Sequence, residues 1–102
     1  ESNYFLIPKV FLKEILYAES MEHYLKVHTF QQTYVVYQSI GVLADSVPEH
    51  LMLRIHRSYL VALDKIDAYS STMVEVQGQE LPIGPSYKAL VTKVLNKYLK
   101  EL

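Results

Sequence analysis

The sequence predicts a mainly β domain of antiparallel sheets, with one short helix in mid-chain and an amphipathic helix at the C-terminal end. Three observations carry this. Nine tyrosines and three phenylalanines accompany many Val and Ile, residue types that fit a pleated, half-buried surface. Apolar runs are only a few residues long, and turn signals separate them every several positions. Helical spacing replaces strand alternation in just two places. Half of the 102 residues are apolar, which suits one core and a single domain over residues 1–102.

The elements follow in order. Residues 4–7 form a short apolar run closed by Pro8 and read as an edge strand. Residues 14–18 are a second strand. Residues 24–29 alternate, with Leu25 and Val27 on one face and Tyr24, Lys26 and His28 on the other. Gln31 and Gln32 make a polar tip, and residues 34–37 return as the hairpin partner. Ser39 can then cap a helix whose Ile40, Leu43 and Val47 recur at helical spacing and which Pro48 ends. Residues 51–55, 59–63, 66–70 and 73–76 are further short strands. The turn Gln77-Gly78-Gln79 leads into a last strand at 80–83. After Gly84-Pro85, Ser86 is a candidate N-cap. Leu90, Val91, Val94, Leu95, Tyr98 and Leu99 form one apolar stripe, with Lys97 and Lys100 in the last turns, where the helix dipole favours cations.

Several function classes recede on composition. There is no cysteine, hence no disulfide framework or thiolate metal site, which fits a reducing cytoplasm. His23, His28, His50 and His56 lack metal-ligand spacing, and three glycines are too few for a phosphate-cradling loop. His56, Ser58, Asp64 and Asp67 are near in sequence, but no glycine-framed nucleophile turn surrounds Ser58, so no catalytic residue is assigned and an enzyme is not expected. No cofactor is implied. No apolar run approaches a membrane span. Glu1 is not an initiating methionine, and the chain reads as a fragment of a longer protein.

The informative stretch is the segment 53–61. Arg54, His56, Arg57 and Ser58 place two guanidinium groups, an imidazole and a hydroxyl within five residues, between strand formers. Arginine can bond a guanine edge in bidentate fashion, while Ser and His suit phosphate oxygens. The other reading of the same residues is a turn in which Arg or His bonds neighbouring carbonyls. The overall charge of −1 requires any nucleic-acid surface to gather its cations on one face.

The run LRIHRSYLVALDKI closely resembles the most diagnostic stretch of LytTR domains. That stretch typically reads Arg-x-His, then Arg or Asn, Ser, an aromatic, an aliphatic, Val and Asn. EILYAES is similar to the family's early strand, YLKVHT to its next, and LPIGPSYK to its late segment, in the family's order and spacing. The resemblance implies an elongated assembly of small antiparallel sheets with one or two helices. It also implies a DNA-binding output domain of a two-component response regulator, acting in transcription through loops that enter successive major grooves. The implied partners are double-stranded promoter DNA with direct repeats, an upstream receiver domain with its sensor histidine kinase, and a second copy on DNA.

Carried over by position, the family's base contacts fall on His23, Arg57 and Ser86. Arg54 and His56 suit structural or phosphate roles, Ser58 a phosphate, and Lys88, one turn into the last helix, a further phosphate. Lys9 and Lys26 read as solvated. Each assignment has a plainer counterpart: His23 as a solvated loop residue, His56 buried against the core, Ser86 as an N-cap. Two departures stand out. Ala62 replaces an Asn that would order the local loop, and Pro85 replaces an Arg of the third contact segment. The latter, with the near-neutral charge, leaves a protein-contact or dimerisation module of the same fold as the alternative.

Overall fold

The computed structural model describes residues 9–99. Its elements are β1 (Ile15–Ser20), β2 (Leu25–Thr29), β3 (Thr33–Val36), α1 (Ile40–Ser46), β4 (Met52–His56), β5 (Tyr59–Ala62), β6 (Ala68–Tyr69), β7 (Met73–Val76), β8 (Gln79–Pro82) and α2 (Lys88–Tyr98). The strand expected at 4–7 and Lys100 lie outside the described residues. β1 to β5 form one antiparallel sheet in the order β3-β2-β1-β5-β4, and β6-β7-β8 form a second. The body is elongated, 51 × 26 × 23 Å.

The five-stranded sheet is buried on both faces, and its alternation sorts the side chains between two cores. Ile15, Ala18, Leu25, Val27, Met52, Leu60 and Ala62 face α1, which contributes Ile40. Leu16, Leu53, Ile55, Val61 and Leu63 face the other way, against Val74, Val76 and Leu81 of the small sheet and Val91 and Leu95 of α2. Ser39 caps α1 as its sequence position predicts, its hydroxyl accepting from Val42 N at 3.1 Å. Gln77 and Gly78 both have positive φ, 50° and 80°, which matches the tight hairpin turn between β7 and β8.

Three expectations need correction. Ser86 is not an N-cap: Pro85–Tyr87 form a 3-10 turn that starts from Gly84, with Pro85 pre-set for the first position, and runs directly into α2. The apolar stripe of α2 is narrower than its spacing suggests, because Leu90 and Tyr98 remain 54% and 50% exposed while Val91 and Leu95 are buried. The strand expected over 66–70 shrinks to Ala68–Tyr69, since Leu63–Lys65 form a 3-10 turn first. Ala62, where an ordering Asn was expected, is buried at the end of β5, and the turn after it closes by Ile66 N donating to Leu63 O at 3.4 Å.

Candidate nucleic-acid interface

Antiparallel pairing decides which loops meet. β1 ends, β2 begins, β3 ends, β4 ends and β5 begins at the same end of the large sheet. The β1–β2 loop (21–24), the β3–α1 connection (37–39) and the β4–β5 turn (57–58) therefore open side by side. The segment 84–86 joins them beyond β4. With strands roughly 4.8 Å apart, the row spans on the order of 24 Å.

The β4–β5 turn is fastened from every side. A bulge between Arg54 and His56 leaves Ile55 without a partner on β5, and its carbonyl accepts from Gly84 N at 2.8 Å. Arg54 donates from Nε to His56 O at 2.9 Å and from Nη2 to Arg57 O at 2.6 Å. This is the carbonyl-bonding arrangement that the sequence left open, and it makes Arg54 the clamp of the turn. Ser58 N donates to His56 Nδ1 at 3.0 Å, and Ser20 N donates to Ser58 O at 2.8 Å. The His56 ring thus receives the backbone N–H of Ser58, not its hydroxyl. Ile55, not His56, is the residue buried in the core. Arg57 is exposed, and its side chain makes no hydrogen bond to another described residue.

A strip of rings supports this turn. His56 lies 5.5 Å from Tyr59, Tyr59 lies 6.2 Å from Tyr17, and Tyr17 stacks on His28 at 4.3 Å. Glu19 sits among them, 3.2 Å from His28 Nε2 and accepting from the Tyr59 hydroxyl at 3.5 Å. Burial first, and then the Glu19 carboxylate, push both tyrosine hydroxyls above their ordinary value of 10.0.

The β1–β2 loop is held more lightly. Its own closure is one backbone bond, Met21 N to Tyr24 O at 2.8 Å. His23 projects with its side chain 83% exposed, 3.9 Å from Glu22. Beside it, a depression of about 390 Å³ is lined by both this loop and the β3–α1 connection. Tyr37 and Gln38 border it, two residues the sequence did not single out. Only the β2–β3 hairpin brings them next to His23, and the hairpin signal was the available clue. In the third segment Pro85, Ser86 and Lys88 are exposed, whereas Gly84 is buried. A Cβ on Gly84 would lie 3.1 Å from Tyr87 Cδ2 and 3.4 Å from His56 Cδ2, so a side chain there would press on both rings, which would have to give by a few tenths of an ångström. The structure thus brings His23, Arg57, Ser58, Ser86 and Lys88 to one end, with Arg54 and His56 beneath them.

A family model described as the LytTr DNA-binding domain matches residues 6–96. The chain belongs to the LytTR family. This LytTR domain is 27% identical over 90 residues to the sensory transduction protein LytT of Bacillus subtilis, covering 82% of the chain and 37% of that protein. LytT proteins of Bacillus cereus and Bacillus anthracis match at 24% over the same length. The chain therefore spans just over a third of the curated relatives it matches. A solved LytTr DNA-binding domain from Bacillus cereus shares the fold with a TM-score of 0.77, 24% identity and 84% coverage of each chain. The mainly β architecture of this LytTR domain is thus that of a DNA-binding family. Among its described residues, no helix is long and apolar enough to cross a membrane.

Proposed function

We propose that this LytTR domain is the sequence-specific DNA-binding output unit of a cytoplasmic response regulator and acts in transcription by binding, not catalysis. The observation that carries this is the row of loop segments at one end of the large sheet, with exposed Arg57 on a fastened turn within it. Arg57 reads a guanine edge in the major groove, since a guanidinium on a rigid turn matches guanine O6 and N7. His23 and Ser86 reach the flanking positions, in neighbouring grooves. Ser58 and Lys88 hold phosphates, and these fix register without reading sequence. Arg54 and His56 position Arg57 from beneath.

The charge inventory of the row limits its grip. Arg54 is committed to carbonyls, which leaves Arg57 and Lys88 as the assigned lasting charges. A shallow log–log salt slope of about −2 at the most follows from two such charges at roughly −0.9 each. Tight binding then requires two copies on promoter direct repeats, joined through the upstream receiver domain that a sensor histidine kinase addresses, so that the second contact gains from effective concentration. Gel shifts with promoter fragments against coding fragments of equal length test the reading, with Arg57→Ala as control. Promoter preference that vanishes in the variant is expected; equal binding of both fragment sets, or none, overturns it.

A further inference from the structure

The geometry points to a fourth DNA-contacting segment, the β3–α1 connection, in which Gln38 reads a base edge beside His23 and Tyr37 holds a phosphate. The inference rests on the DNA-binding reading above. Tyr37 is 82% exposed, the highest value among the exposed large hydrophobic residues described. A ring so uncovered gains nothing for the core, yet it is held in place: it meets Tyr24 edge-on, with centroids 6.1 Å apart. Tyr24 is the closing residue of the His23 loop, so the contact ties the aim of Tyr37 to that of His23. Gln38 follows with its backbone fixed by donation to Val36 O at 3.1 Å. Neither the Gln38 carboxamide nor the Tyr37 hydroxyl hydrogen-bonds to another described residue.

The chemistry suits the location. A carboxamide presents a donor and an acceptor side by side, the pattern that pairs with adenine N7 and N6 in the major groove. A phenol hydroxyl donates to a phosphate oxygen without carrying charge. Residues 30–40 contain no charged side chain at all. A contact made there therefore adds affinity and discrimination but releases no counterion. That separates it from a contact by Arg57 or Lys88.

The test uses the full chain and a pool of duplexes carrying about two helical turns of randomised sequence. Wild type, Gln38→Ala, Tyr37→Phe and Arg57→Ala are each taken through selection, and affinities are measured across salt. Gln38→Ala is expected to lose one adenine position from the selected consensus and to bind the original consensus roughly five- to a hundredfold more weakly, with unchanged salt slope and melting. Tyr37→Phe, which keeps the packing on Tyr24, should weaken all sequences a few-fold alike. An unchanged consensus and affinity in both variants overturns the inference while the dependence on Arg57 leaves the DNA-binding reading standing. A uniform loss in Gln38→Ala, or a lowered melting temperature, also overturns its base-reading role. Failure of the wild type to enrich any sequence removes both.

Discussion

The β4–β5 turn and the β1–β2 loop sit two strand spacings apart at the same end of one sheet, and they are held by different means. The turn has its carbonyls capped by Arg54, its amide on His56, and backbone bonds to both Ser20 and Gly84. The loop closes on one internal backbone bond and presents His23 beside an exposed carboxylate. A pre-ordered contact loses little conformational entropy on binding, whereas a loose one must be ordered first. On the proposed DNA-binding reading, discrimination would therefore be concentrated at Arg57, while the His23 loop would tune affinity.

The largest effect should come from Arg57→Ala. A bidentate guanine contact contributes about 1–3 kcal/mol of discrimination, so preferred sequences should lose far more affinity than random ones while thermal melting stays put. Equal loss on random DNA would reassign Arg57 to a phosphate and erase the contrast between the two regions. Next in size is Arg54→Met, which keeps the stem and removes the clamp. Hydrogen bonds from a charged donor are each worth about 1.5–3 kcal/mol, less at a partly exposed site. Denaturant unfolding should show a loss of about 1–3 kcal/mol, and binding should weaken because Arg57 is no longer aimed. A variant with wild-type stability would show that the clamp is decoration.

Smaller changes are expected in the loop. His23→Ala should cost roughly two- to tenfold in affinity, the worth of one ordinary hydrogen bond, measured by anisotropy on the sequence the wild type prefers. Glu22→Gln should go the other way, raising affinity roughly two- to fivefold at low salt and less at high salt, since an exposed carboxylate beside DNA repels it and is screened. A loss in Glu22→Gln would mean that Glu22 fastens the loop after all. The smallest effect concerns the ring strip. The Tyr59 hydroxyl titrates above 10.0 when folded and at its ordinary value when unfolded. Its contribution is thus complete below the unfolded value and is lost as pH rises through the folded one. Melting temperature should fall as pH rises past the ordinary tyrosine value of about 10, and fall less in Tyr59→Phe. Identical alkaline profiles would place the titrating group elsewhere.

What could be read from sequence follows the range of the interactions. The alternation of Leu25 and Val27, the Ser39 cap and the Gln77-Gly78 turn are local, and each appears in the structure where its pattern put it. The LPIGPSYK segment shows the limit. Ser86 has a cap's composition, but Gly84 is bonded to Ile55, so the helical entry starts two residues earlier with Pro85. Exposure of Leu90 and Tyr98 depends on how much of α2 the sheet covers, which spacing alone does not reveal. Within the site, the basic corner was visible as a cluster of residue types. The division of labour inside it, with Arg54 turned back on carbonyls and Arg57 left outward, depends on the bulge in β4. Tyr37 and Gln38 lie fourteen and fifteen positions from His23, and strand pairing alone makes them neighbours.

The clamp on the β4–β5 turn also bears on how such a domain changes over generations. Every bond that holds the turn is made by Arg54, His56 or main-chain atoms, and none by the side chain of Arg57. Gly84 likewise anchors its segment by its amide and its lack of a Cβ, while Pro85 and Ser86 stay outside the joint. The residues proposed to read and the residues that fasten are thus separate positions. If the proposed roles hold, a mutation at 57 or 86 would retarget the domain to another sequence without refolding it, whereas a mutation at 54 would weaken binding to every sequence at once. Regulatory networks built from such domains would diversify quickly in address and slowly in architecture.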